Sequence, residues 1–239
     1  MTIHIFLGPT LSLDKAQIEL EAVYLPPVSQ GDVYRATLDK PTAIGIIDGY
    51  FERIPAVWHK EILYAMSQGI HVFGSASMGA LRAAELAAFG MEGVGTIYEH
   101  FASGELEDDD EVAVAHGSAE EGYLGLSIAM VDIRATLAAA EQQQIVVPAT
   151  HAQLIRLAKA LYYPDRFYPT ILQQAKHEGA RPSELESLRN WLPTGVIHQK
   201  RDDALAMLRR IRGLSDAGIE PKHVPYIVHQ THIWEAFSS

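Results

Sequence analysis

Cysteine is absent from all 239 residues, which excludes disulfides, thiolate zinc sites, iron–sulfur clusters and a thiol nucleophile, and makes a reducing cytoplasm the simplest expected compartment. Positive charge is scarce: 19 Lys+Arg stand against 30 Asp+Glu, for a formal net charge of −11. No Lys/Arg run exceeds two residues. This surplus of acid repels a phosphate backbone, so nucleic-acid binding is not expected, and a basic protein or peptide suits the charge better. Long apolar runs are missing too. The opening run Ile3 to Leu7 stops far short of the roughly 18 residues a membrane span needs and lacks a basic flank, so neither span nor leader is expected. There is no G-x-G-x-x-G and no G-x-x-x-x-G-K-[ST], hence no warrant for a dinucleotide or P-loop ATP site, and no cofactor is expected. No repeat of fixed period appears.

The remaining composition, 48% hydrophobic and 21% charged, can build a core without a staple. Ile3 to Leu7 predicts a strand closed by Gly8-Pro9, with Ser12 at the N-cap of a helix over Leu13 to Leu20. The run Ala22 to Leu25 ends at Pro26-Pro27, and Gly31 to Leu38 predicts a short helix. Ala43 to Ile47 and Ile70 to Phe73 are continuously apolar, as in strands buried on both faces of a parallel sheet. Helices Pro55 to Met66 and Ala80 to Phe89 follow them, and Val112 to Ala115 reads as the last strand. Beyond it, helical patterns occupy Leu126 to Gln143, Ala152 to Tyr162, Pro169 to Glu178, Pro182 to Trp191, Asp202 to Ile211 and Val228 to Phe237. The expected fold is α/β: a doubly wound, mostly parallel sheet over residues 1–145, with an additional all-helical C-terminal region over 146–239.

Open α/β sheets bind ligands beyond the carboxyl ends of their strands, so three segments should converge: Gly8-Pro9-Thr10, Asp48-Gly49-Tyr50-Phe51, and Gly74 to Gly79. Ser77 stands out there. Strand, small-residue turn, serine, Gly79 and helix is the layout of a nucleophile elbow, although Ser75 replaces the first glycine of G-x-S-x-G. The plainer alternative is that Ser75 or Ser77 caps the helix starting near Met78, whose amides would in either case offer donors to an anion. Lys60 and His59 are the candidate bases; being consecutive on a helix they point about 100° apart, so only one can face the site, and a solvated helix face is the alternative for both. Asp48 either orients a base or caps the Gly49 turn, and Arg82 either pairs with Glu85 or holds a substrate carboxylate. The acidic run around Asp108, Asp109 and Asp110, followed by His116, reads as a solvated loop or a docking surface, since it lacks the spaced ligands and glycine of a calcium loop. Ser12-Leu13-Asp14-Lys15 matches S-x-x-K by chance, and His229 with His232 lacks a third ligand, so no metal site is expected.

Several longer strings now combine: Gly31-Asp32-Val33, Asp48-Gly49-Tyr50-Phe51-Glu52, Trp58-His59-Lys60-Glu61-Ile62-Leu63, Ser75 through Leu86, Asp108-Asp109-Asp110-Glu111-Val112-Ala113 and His116-Gly117. Over roughly residues 3 to 137 the chain resembles the TfuA-like family. The resemblance implies a partner of YcaO-type enzymes in backbone thioamidation of ribosomal peptides, one that hydrolyses the C-terminal thiocarboxylate of a ubiquitin-like sulfur carrier and aids binding of the precursor peptide. It implies Ser77 as nucleophile, Lys60 or His59 as base, amides around Met78 and Gly79 as oxyanion donors, and Asp48, Ser75 and Arg82 as orienting groups. The competing expectation is a non-catalytic docking subunit that uses the acidic loop and the helical region as contact surfaces. A homo-oligomer is compatible with both.

Overall fold

The computed structural model describes residues 2–51 and 54–229. Its five strands are β1 (Ile3–Phe6), β2 (Val23–Leu25), β3 (Ala43–Ile46), β4 (His71–Ser75) and β5 (Glu92–Val94), all parallel in the order β2-β1-β3-β4-β5. Helices α1 (Leu13–Glu19), α2 (Asp32–Leu38), α3 (His59–Ser67) and α4 (Met78–Leu86) form the crossovers, and α5 (Thr96–Ser103) follows β5. The order reverses at β1, so the topological switch point lies between β1 and β3. Phe6 pairs in register with Ile46 and Ile46 with Gly74, which brings the loops after β1, β3 and β4 out on one rim.

Side-chain alternation explains why both faces are covered. Phe6, Ile44, Ile46 and Val72 meet Val33 of α2, Ile62 and Met66 of α3, and Ala83 and Leu86 of α4. Ile3, Ile5, Ile47 and Phe73 face the other way, against Ala16 of α1 and against Ala204, Met207, Leu208 and Ile211. Those last residues belong to α10 (Gln199–Ala217), which comes back to the sheet from far along the chain. Gly45 makes room for it: a Cβ there would lie 2.6 Å from Ile5 Cδ1 and 3.0 Å from Met207 Cε. Each of these fully buried aliphatic side chains contributes about 1.5–3 kcal/mol of burial free energy.

The chain divides into two compact units, 1–107 with 201–239, and 108–200. The second contains α6 (Met130–Gln142), α7 (Pro148–Ala160), α8 (Tyr168–His177) and α9 (Pro182–Gly195), packed around Ile133, Leu137, Leu154, Ile171 and Leu188. The division therefore differs from the expected boundary near 145, which falls between α6 and α7. The apolar stripe of α10 matches the open face of the sheet, and that draws residues from Arg201 onward into the first unit. Val112 to Ala115 is not a strand: a three-residue 3-10 turn at Asp109–Glu111 precedes it, and Val112 and Ala113 are buried without sheet pairing. The fifth strand is instead the short Glu92–Val94. Of the expected terminal helix, Val228 and His229 are in no regular structure, and the rest, with His232, lies outside the described residues. Among the described residues no helix is long and apolar enough to cross a membrane.

Candidate functional site

The turn from β4 into α4 is compressed. A Cβ on Gly74 would sit 2.1 Å from the carbonyl oxygen of Gly79, and one on Gly79 would sit 1.8 Å from the carbonyl oxygen of Ile46, so both positions demand glycine for close backbone approach. Between them Ala76 is forced to φ +64°, and the Ser77 N–H donates to the Ser75 carbonyl at 2.7 Å, closing a three-residue turn. Ser77 itself sits at φ −125°, ψ −125°, outside the favoured basins. Two consecutive residues are thus held in sparsely populated conformations, a form of strain that clusters at functional sites.

In G-x-S-x-G the serine occupies the strained apex. Here the apex is Ala76, two residues after Gly74, and Ser77 comes one position later. Ser77 takes the N-cap position of α4, as the capping alternative expects, yet its side chain makes no capping bond. Its hydroxyl has no hydrogen-bond partner among the described residues, although the residue is only 2% exposed. Ser75 behaves differently: its Oγ donates to the Val94 carbonyl at 2.8 Å and ties β4 to β5, so it is occupied in the structure.

The amide donors at the start of α4 are mostly spent. Gly79 N–H donates to the Ile47 carbonyl at 3.3 Å, while Ala80 and Leu81 donate to the Ser77 carbonyl. Among the described residues the Met78 N–H alone in this first turn lacks a backbone acceptor, so it is the amide still able to meet an anion. Asp48 is also committed. Buried at 1% exposure, its carboxylate accepts the N–H of Gly8 at 2.9 Å, the N–H of Thr10 at 3.1 Å and the Thr10 hydroxyl at 2.6 Å. It ties the two loops that flank the switch point and orients neither His59 nor Lys60.

Neither of the expected bases, Lys60 and His59, hydrogen-bonds Ser77. Lys60 is exposed on the first turn of α3 and makes no hydrogen bond to Ser77. His59 contacts Glu85 at 2.7 Å, and Arg82 Nη1 donates to the same carboxylate at 2.8 Å while its Nε donates to the Val57 carbonyl at 3.1 Å. The expected Arg82–Glu85 pair is present and extends to His59. Glu85 lies eight residues beyond Ser77, about 12 Å of axial rise along α4, so this triplet sits up the helix from the turn.

The residue the sequence reasoning passed over is Glu61. It is fully buried, and its carboxylate accepts the N–H of Gly31 at 2.7 Å, of Trp58 at 3.2 Å and of Tyr34 at 3.3 Å, joining the starts of α2 and α3. Burial pushes its pKa up against the opposing pull of those N–H donors. A glutamate three residues after the N-cap supplies half of a capping box, accepting the Trp58 N–H, but with Trp rather than Ser or Thr at the N-cap the reciprocal half is missing, and with it the sequence signature.

The acidic segment is in large part an internal ion-pair network. Arg134 grips Glu111 through two bonds of 2.9 Å, Lys159 lies 2.9 Å from Glu111 and 3.0 Å from Asp108, and both Lys159 and the buried Arg166 pair with Asp110. Burial would raise the carboxyl pKa of Glu111 and of Asp110, but these cations overcome it and hold both below the ordinary carboxylate range. Asp110 and Glu111 are thus tied into the fold, while Glu107, Asp109 and the outer side of Asp108 remain exposed. His116 is half-buried in a turn, its Nδ1 2.8 Å from the Gly117 carbonyl and its ring against Tyr123. Among the described residues no group of three or more His, Asp or Glu side chains could hold a metal ion.

A family model described as TfuA-like protein matches residues 48–167, half of the chain, from the Asp48 loop through the β4–α4 turn to Phe167. No curated protein matches it.

Proposed function

The chain belongs to the TfuA-like family, and from that premise we propose that it hydrolyses the C-terminal thiocarboxylate of a ubiquitin-like sulfur carrier, supplying sulfide to a YcaO-type enzyme for peptide backbone thioamidation. The observation that carries this reading is the Ser77 hydroxyl, unpartnered at a strained turn on the carboxyl rim of the sheet. In the first half-reaction Ser77 Oγ bonds to the acyl carbon, the C–S bond breaks, and the hydroxyl proton passes to the departing sulfur as hydrosulfide, leaving an acyl-serine. Water then cleaves the ester and returns the carboxylate, a proton and the free hydroxyl. Because the leaving group takes the serine proton, this route does not require Lys60 or His59 beside Ser77. The Met78 N–H supports the developing oxyanion at the start of α4.

The test is to incubate thiocarboxylated carrier with the wild type, Ser77→Ala and Lys60→Met, following carrier mass and released sulfide. Ser77→Ala should lose at least about 100-fold in turnover while Lys60→Met stays near wild type. Undiminished turnover in Ser77→Ala removes the nucleophile.

A second reading is a non-catalytic subunit that docks the YcaO enzyme and presents precursor peptide or carrier. It is favoured by the pairing of His59 with Glu85 and the exposure of Lys60, neither of which hydrogen-bonds Ser77. Supplying free sulfide to the thioamidation reaction separates the two: a sulfur-releasing enzyme becomes dispensable, and a docking subunit does not.

A further inference from the structure

The unit of residues 108–200 holds eight lysines and arginines. Five are engaged by carboxylates: Arg134, Lys159 and Arg166 in the acidic network, Arg156 by Glu178, and Arg181 by Glu184. A sixth, Lys200, is buried and donates to the Val112 carbonyl at 2.7 Å. The two that remain, Lys176 and Arg189, are exposed and have no partner among the described residues. Both line the same feature, a groove of about 770 Å³ between α8 and α9. Its floor is apolar: Leu172, Leu185 and Leu192 stand on it, with Pro169 and Pro182 alongside, and Glu186 is the one carboxylate in its lining.

We propose that this groove docks an acidic amphipathic helix of a partner protein. Apolar side chains recurring along one face of that helix would sit on the leucine floor, and its flanking carboxylates would meet Lys176 and Arg189. Charge decides the sign of the partner. In a chain of net charge −11, nearly every cation of this unit is neutralised by its own fold, whereas these two are left open beside the one apolar groove they share. Isolated surface cations define no ligand, and an apolar groove alone could accept any helix. Together they discriminate, because a basic helix would meet like charge at both rims while an acidic one gains two pairs. The α8 wall, ten residues long, offers about 15 Å of contact, enough for two to three turns of a docked helix. The inference is independent of the reaction assigned to Ser77.

The experiment uses the whole chain and a fluorescein-labelled designed peptide of about 16 residues, with leucines at helical i, i+3/i+4 and i+7 spacing and glutamates flanking them. Fluorescence anisotropy should show saturable micromolar binding that weakens as salt is raised. The double variant Lys176→Glu, Arg189→Glu should raise Kd by at least about tenfold with an unchanged circular dichroism spectrum, since both side chains are exposed. A peptide with lysines in place of the glutamates, or serines in place of the leucines, should not bind. Absence of saturable binding by the acidic peptide, equal binding of the lysine peptide, or an unaffected double variant would overturn the proposal. So would recruitment to phosphatidylglycerol vesicles that depends on Lys176 and Arg189 while the peptide is ignored, which would assign the groove to anionic lipid.

Discussion

Thr10 Oγ1 donates to Asp48 Oδ1 across 2.6 Å, and the same carboxylate gathers the Gly8 and Thr10 amides, so one buried aspartate fixes both loops of the switch point. Three donors converge on an acceptor-only group. Asp48→Asn keeps the shape but removes the charge and turns an NH₂ toward those donors. It should cost about 2–3 kcal/mol, the range for lost hydrogen bonds to a charged group, read as a lower urea midpoint with unchanged slope. Thr10→Val removes one of the three bonds and should cost less, about 1.5 kcal/mol. An unmoved midpoint in Asp48→Asn would show that the tie contributes nothing to stability.

The compressed β4–α4 turn makes a sharper demand. In Gly79→Ala the new methyl would lie 1.8 Å from the Ile46 carbonyl oxygen, an atom of the central strand that cannot rotate away. The expected loss is about 3 kcal/mol or more, enough to unfold a marginal domain. Gly104→Ala is the matched control: its φ is +78° but nothing lies within 4 Å of the added methyl, so it should cost only about 1 kcal/mol. Equal costs in the two variants would mean that the turn opens easily and that Ser77 is not held under strain.

What was legible in the sequence follows from this same physics. Continuous apolar runs such as Ala43 to Ile47 announce strands buried on both faces, and Ile44 and Ile46 are indeed fully buried. β5 escaped notice because Glu92-Gly93-Val94 has no apolar run; its place is set by pairing with β4 and by the Ser75–Val94 bond, which are tertiary facts. The return of α10 to the sheet escaped for a related reason, since a helix pattern does not say which apolar face it will cover. Ser77 was legible as a position and not as a state. Small residues mark the turn, but the positive φ at Ala76 and the missing capping bond depend on how closely Gly79 approaches Ile46. The acidic run misled because charge density along the chain does not reveal that Arg134, Lys159 and Arg166 come from three separate later segments to neutralise it.

The two units should respond to acid in different windows. In the first, burial lowers the pKa of His4 against a weaker opposing pull from Asp39, and His4 Nδ1 is buried without a partner. As the pH falls below the ordinary 6.5 the unfolded chain takes up a proton at position 4 before the folded one does, so stability declines until the lowered folded value is reached. In the second unit, Glu111 and Asp110 titrate below their ordinary 4.5 and 3.8. Their contribution is full above those values and is lost as the pH drops through the lower folded ones. Hydrogen exchange, corrected for intrinsic rates, should show β1 and β3 losing protection from about pH 6.5 downward, and α6 and α7 holding until below about pH 4.5. His4→Met should flatten the first decline and leave the second. Simultaneous loss in both units, unaffected by His4→Met, would contradict the assignment.

The exposure of His59 and Lys60 makes the chemistry separable from the fold. The His59–Glu85 contact joins side chains that are 48% and 44% exposed, so His59→Ala should change stability by no more than about 0.5 kcal/mol. Lys60→Met, at an exposed position without a partner among the described residues, should be as mild. Arg82 is only 14% exposed, and its Nε bond to the Val57 carbonyl anchors the segment leading into α3. Arg82→Ala should therefore cost about 1–2 kcal/mol. Any loss of sulfide release in His59→Ala or Lys60→Met can then be assigned to binding or catalysis, whereas the same loss in Arg82→Ala must first be corrected for unfolding. If His59→Ala destabilises the chain as much as Arg82→Ala does, the His59–Glu85–Arg82 triplet is a structural latch and not a separable exposed contact.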